Sequence, residues 1–313
     1  MKIRSASELK MLAVAVALFA GTSAYAQENL GTEAQVRCAT RVSIALLGES
    51  PSTNLLGAAQ PQAQVEAMLQ SPEFVERFAR FANQQFNDDP GATGEEDASY
   101  FMVKEVLTRK LPWKETFIGK WRVQGGSNGT ARVVSDPEGL GYFRSPAWLK
   151  RYAGNELEGY KLRTAYRIMH NAIGLKLVAS TNEPDVDTSA TGREAAACRT
   201  CHYEGPFPLD KVARVLTRVE RTGDEITFVP STEAPQDILG GLIIHDDAQL
   251  VNALVNSEDF RFNACRLAFK FVYGRPEYSC EGAVFDRCMD AFSMYGTIQS
   301  AIQTVATDAS FCQ

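Results

Sequence analysis

Five residues in the second half of the chain, Cys198-Arg199-Thr200-Cys201-His202, hold two thiols and an imidazole within about one turn of backbone. Residues three apart on a helix share a side, so both sulfurs can face one object and the imidazole follows directly. Each thiol can add to one vinyl group on the same porphyrin edge, and this spacing is the c-type haem attachment signature. In that reading Cys198 and Cys201 form the thioether bonds, and His202 gives iron its proximal nitrogen. Two other chemistries use a Cys-x-x-Cys pair. A redox disulfide of the thioredoxin kind follows a strand, whereas the run Thr191 to Ala197 reads as helix. A zinc site needs further ligands, but there is no second Cys-x-x-Cys and the chain has 3 histidines.

Covalent haem attachment takes place outside the bacterial cytoplasm, and the start of the chain agrees with export. Lys2, Arg4 and Lys10 precede the apolar run Met11 to Ala20, and Ala24-Tyr25-Ala26 is a small-x-small cleavage site. Residues 1–26 are therefore expected to be a signal peptide cleaved after Ala26, leaving a periplasmic or secreted protein without a transmembrane anchor. The formal net charge of −6 includes that basic leader, so the mature chain is more acidic still. An acidic surface argues against nucleic-acid partners and against docking on acidic membranes. Of 7 cysteines, Cys38, Cys265, Cys280, Cys288 and Cys312 lie outside the motif. Export permits disulfides among them. An odd number leaves at least one free or paired between molecules, and four of the five positions, from Cys265 onward, suggest a staple in the C-terminal region.

Helical periodicity dominates the mature sequence. Helices are expected from Ala34 to Leu47, over 63–70 and from Pro72 onward, with Ser71 as N-cap and a stripe of Phe74, Phe78 and Phe81 facing a core. Further helices are expected over 99–111, 145–152, 156–172, 209–221, 247–256, 257–273, 283–294 and 297–307. Gly125 to Gly129 suits a hairpin or an exposed loop, 178–193 reads as mostly extended, 226–229 as a short strand and 230–241 as loop. The fold class is therefore mainly α with hairpins at most. A linker at Asp136 to Gly141 divides an N-terminal helical domain, 27–135, from a haem-binding helical domain, 136–313. One unit recurs: Gln64 to Arg80 and Leu250 to Arg266 each combine a short helix, a Ser cap, a Phe three residues later and an amphipathic helix. Asp308-Ala309-Ser310-Phe311 repeats the turn once more, with Asp308 in the capping place.

Three stretches carry a family likeness. They are Arg37-Cys38-Ala39-Thr40-Arg41 through Phe86; Asp185-Val186-Asp187-Thr188 with Cys198 to His202; and Ala264-Cys265-Arg266 through Tyr273-Gly274-Arg275-Pro276 to Phe311. Together they resemble the planctomycete-type cytochrome c domain families of secreted bacterial proteins. In order, they are similar to the helical domain before the cytochrome portion, the run into the haem motif and the C-terminal helical domain. The resemblance implies a single-haem c-type cytochrome, and it brings no catalytic residues with it.

A low-spin electron-transfer haem holds a second axial ligand, Met or His. His245, after a loop and before the C-terminal helices, is the first candidate, and His170, at a helix end, is the second. Met68, Met102 and Met169 complete the candidates, while Met289 and Met294 read as core filler. With a sixth ligand the protein is an electron carrier that needs a redox partner protein. With an open site it is a haem enzyme or sensor. A third reading is an interaction protein whose haem is structural. Dihaem peroxidases carry two haem motifs and this chain has one; no Ser-His-Asp or paired-carboxylate constellation stands out.

Overall fold

Several helices in this protein start where a side-chain oxygen takes an N–H group that has no partner within the helix. The computed structural model describes residues 31–313 except 92–93, 127–129, 154–161, 178–184 and 223–224. The expected leader, and the parts of the expected 125–129 turn, 156–172 helix and 178–193 run that fall in those gaps, lie outside the described residues.

Helix α1 (Glu33–Leu47) opens on a reciprocal cap between Thr32 and Gln35 and ends at Gly48, whose φ of 76° suits a residue without Cβ. Helix α2 (Pro72–Phe86) begins as the sequence suggests: Ser71 Oγ accepts the Phe74 N–H at 3.1 Å and Pro72 occupies the first turn. Helix α3 (Ala98–Thr108) lies against α2, and the hairpin of β1 (Trp121–Gly125) and β2 (Ala131–Ser135) pairs Val123 with Val133. Then come α4 (Pro146–Ala153), α5 (Leu162–Ile173) and α6 (Leu209–Val215). Two small hairpins follow, β3 (Arg218–Thr222) with β4 (Glu225–Val229) and β5 (Gln236–Ile238) with β6 (Leu242–Ile244). The chain closes with α7 (Asp247–Val255), α8 (Glu258–Tyr273), α9 (Gly282–Tyr295) and α10 (Ile298–Thr307). The fold is mainly α, as expected, and its strands form antiparallel hairpins.

Two copies of the repeated unit cap in the same way, and the third takes an N–H one residue nearer. Ser257 Oγ accepts the Phe260 N–H at 3.3 Å, as Ser71 does for Phe74. Asp308 Oδ1 takes the Ser310 N–H at 2.9 Å at the head of a 3-10 turn, Ala309–Cys312. The two long helices of these units then face each other. Phe271 of α8 stands edge-on to Phe78 at 5.0 Å and to Phe74 at 5.9 Å, and lies tilted beside Phe81 at 5.2 Å. Edge-to-face contact sets the positive rim of one ring against the negative face of another, adding about 0.5–1.5 kcal/mol per pair to the burial itself.

Packing does not stop at the Asp136–Gly141 linker. Phe117, fully buried, touches Phe86 at 5.9 Å on one side and Tyr142, Phe143 and Phe260 at 5.8, 5.7 and 5.6 Å on the other. Buried amides connect the same elements: Asn171 Nδ2 donates to the Phe86 carbonyl and the Tyr142 hydroxyl, and Asn263 Nδ2 donates to the Asn171 and Ala172 carbonyls. A buried amide satisfied in this way fixes the helix register, because any shift strands its donors.

Three expectations are corrected here. The helix expected over 209–221 ends at Val215, and Arg218–Thr222 is a strand paired with Glu225–Val229. The β-branched Val215, Thr217, Val219 and Thr222 favour extended backbone over helix, and Gly223-Asp224 between the paired strands is a two-residue hairpin sequence. The loop expected over 230–241 contains β5. Met294, expected in the core, is 74% exposed, whereas Met289 packs partly against the core.

Cysteine pairing is also only partly local. Cys265–Cys288 joins α8 to α9, the expected C-terminal staple. Cys38–Cys312 joins α1 to the last turn across a sequence separation of 274. Cys280 is the unpaired and exposed remainder of the five. Among the described residues no helix is long and apolar enough to cross a membrane.

Candidate functional site

The backbone through the motif is helical. A 3-10 turn, Gly192–Glu194, leads into an α-turn, Ala196–Arg199, and the chain widens into a π-turn, Thr200–Glu204. Gly205 closes it by donating its N–H to the Thr200 carbonyl at 2.7 Å. A Cβ at Gly205 would meet that same oxygen at 2.5 Å, so a larger residue would force the closure open. Such π-turns recur at functional sites because they shift a side chain away from its α-helical position.

Cys198 is half-buried, Cys201 is exposed, and both thiols are free. Four of the remaining five cysteines are oxidised in disulfides. Among the described residues the element directly before the pair is a 3-10 turn, Gly192–Glu194, and not the strand a thioredoxin-like context would supply. Among the described residues no group of three or more His, Cys, Asp or Glu gathers as a metal cluster, so the geometry adds nothing to a zinc reading.

His202 is the best-defined member of the site. Its Nδ1 lies 2.6 Å from Asp210 Oδ2, and its side chain is 21% exposed while that of Asp210 is 2% exposed. A carboxylate can only accept, so Nδ1 carries a proton, and in the neutral imidazole it is then Nε2 that has the lone pair a metal would take. Arg193 grips the same carboxylate with two donors, Nε at 3.1 Å and Nη2 at 2.8 Å, and sends Nη1 to the Thr188 carbonyl at 2.5 Å. Burial opposes ionisation of Asp210, but the hydrogen bonds from His202 and Arg193 outweigh it and hold the carboxyl below the ordinary carboxylate range. Tyr203, next to His202, donates its hydroxyl to the Ala190 carbonyl at 3.1 Å, which ties the approach segment to the turn.

Asp210 and Arg193 were not among the site residues expected from sequence. Asp210 is the second residue of α6, on a helix whose other buried positions are apolar: Leu209, Val212, Ala213 and Val215. A carboxylate on the buried face of a helix needs a cationic or donor partner, and that was the available signal.

The two candidate distal histidines are placed differently. His245 is exposed, one residue beyond β6, and its backbone N–H is taken by Gln249 Oε1 at 3.0 Å. Its hairpin leans on the segment that follows the motif, through the Leu239 N–H to the Pro206 carbonyl at 3.1 Å, and carries the exposed Leu242 and Ile243. His170, near the end of α5, lines a cleft of about 560 Å³ with Gln85, Asn263, Arg266 and Lys270, and no residue from 198 to 205 lines it. Burial lowers the His170 pKa, and Arg167, Lys176 and Lys270 reinforce that, against a hydrogen bond with Asn171. Among the described residues no hydrogen bond or ring contact joins either histidine to the 198–202 turn. Of the methionines, Met102 and Met169 are fully buried in the core.

Comparison with known proteins finds no family model, no curated protein and no solved structure that matches this chain.

Proposed function

We propose that the protein is an exported c-type cytochrome that holds one haem through Cys198, Cys201 and His202 and passes electrons to or from a redox partner protein. The observation that carries this reading is the His202–Asp210–Arg193 chain beside two free thiols. Metal-binding imidazoles are regularly oriented by a carboxylate on the other ring nitrogen, which fixes both tautomer and ring plane. The donor set fits the group: two unoxidised sulfurs one helical turn apart, followed by an imidazole whose Nε2 is left for iron. When bound, the haem supplies a one-electron Fe(III)/Fe(II) couple. The chain's own part is to present the thiols on one side of the turn, hold the imidazole in one orientation and keep a buried acceptor on its Nδ1. The leader pattern of residues 1–26 and the two disulfides support an oxidising, extracytoplasmic location.

The test is optical and genetic. Protein from a host that matures c-type haem should show sharp reduced bands unaltered by carbon monoxide. Replacing both Cys198 and Cys201 by Ala should abolish haem staining on a denaturing gel, and His202→Ala should prevent stable iron ligation. Staining that survives the double cysteine change refutes the assignment. A reduced spectrum that shifts with carbon monoxide moves the function to an open-site haem enzyme or sensor.

A further inference from the structure

The hydrogen bond on His202 is stronger in kind than orientation requires. Any carbonyl would fix the ring. Here the acceptor is a carboxylate 2.6 Å away with only 2% of its side chain exposed, where little water competes for the proton. A charged acceptor on Nδ1 draws the N–H proton toward itself and leaves more electron density on the ring. Nε2 then becomes a better donor, which favours the higher oxidation state of a metal bound there. Arg193 lies on the far side of the same carboxylate with two donors, at 2.8 and 3.1 Å, and offsets part of its charge.

We propose that Asp210 is a positioning residue that, through its hydrogen bond to His202, strengthens the imidazole as a donor and so holds the site at a lower reduction potential, with Arg193 limiting the effect. This rests on the haem c reading above. It assigns Asp210 and Arg193 opposite influences on one couple: the carboxylate favours Fe(III), and the guanidinium tempers it.

The experiment compares the wild type with Asp210→Asn, Asp210→Glu and Arg193→Gln, each first checked for covalent haem by gel staining. Midpoint potentials are then read by spectroelectrochemistry, with dithionite and ferricyanide as the reductant and oxidant. Asp210→Asn keeps the shape but weakens the acceptor, and it is expected to shift the Fe(III)/Fe(II) ratio at fixed potential at least tenfold toward Fe(II), about 59 mV for one electron. Asp210→Glu should restore most of the wild-type value, and Arg193→Gln should move it the other way. A second readout separates the hydrogen bond from a distant charge. The His202 Nδ1 proton, followed by 15N-edited NMR of the reduced protein, should be slow to exchange in wild type and lose that protection in Asp210→Asn.

Wild type without covalent haem overturns the haem reading itself. Haem-loaded Asp210→Asn with an unchanged potential and a still-protected proton overturns this inference alone. Shifts of the same sign in Asp210→Asn and Arg193→Gln also overturn it, because a general loosening of the site would move both together. If Asp210→Asn fails to mature, Arg193→Gln and the wild-type proton still decide: no shift in the first, or no protected proton in the second, refutes the proposal.

Discussion

Replacing Phe271 by Ala tests whether the two Ser-capped helix units fold as one core. Phe271 is 7% exposed on α8, and its ring meets Phe74, Phe78 and Phe81 of α2 at 5.9, 5.0 and 5.2 Å. Truncating a buried Phe to Ala costs about 3–5 kcal/mol in lost transfer energy and residual cavity. The upper part of that range is expected, because three aromatic partners lose their contact at once. For a domain of this size the loss lowers the melting temperature by roughly 10 °C. All 3 tryptophans, Trp113, Trp121 and Trp148, lie far from residue 271 in sequence. Urea unfolding followed by tryptophan fluorescence and by far-UV circular dichroism should therefore give coincident midpoints, both displaced to lower urea. If the fluorescence midpoint stays at its wild-type value while the circular dichroism midpoint falls, the two halves unfold separately and the argument for one core fails.

Other perturbations read other parts of the fold. Cys265→Ser opens a disulfide with a sequence separation of 23, and in the chain-entropy account should cost about 3 kcal/mol, measurable as a lower urea midpoint. Glu76 gives a pH prediction. Burial raises its pKa, yet hydrogen bonds from Lys104 and Tyr100 and the charges of Lys104 and Arg80 lower it to about 2, against 4.5 ordinarily. A depressed carboxylate adds stability above its unfolded pKa and loses it as pH falls. Acid titration of stability should therefore steepen between pH 4.5 and 2, and Glu76→Gln should flatten that window; an unchanged slope would contradict the pairing.

Much of the scaffold is legible because its signals are local. Ser71 with Pro72, and Ser257 with Phe260, mark helix starts by chemistry contained within four residues, and the structure keeps both. The 209–221 segment misleads because its Leu, Val and Ala spacing satisfies a helix while its β-branched residues and Gly223-Asp224 favour a hairpin. Only pairing with Glu225–Val229 decides between them. Cys38–Cys312 depends on α1 and the last turn arriving with Cα atoms 4.7 Å apart, a fact of tertiary packing. The candidate site divides in the same way. Cys198, Cys201 and His202 are contiguous and stand out by spacing alone. Asp210 reaches His202 only because the chain turns at Gly205-Pro206 and buries the first turn of α6, so its role waits on the fold.

The central claim is that two sulfurs tether one porphyrin to this helical scaffold. Intact mass of unreduced protein, alkylated in denaturant after expression with c-type haem maturation, tests it most directly. The structure leaves three cysteines outside disulfides: Cys198, Cys201 and Cys280. The account predicts polypeptide plus one haem with a single alkylated thiol, at Cys280. Bare polypeptide carrying three alkylated thiols would contradict it.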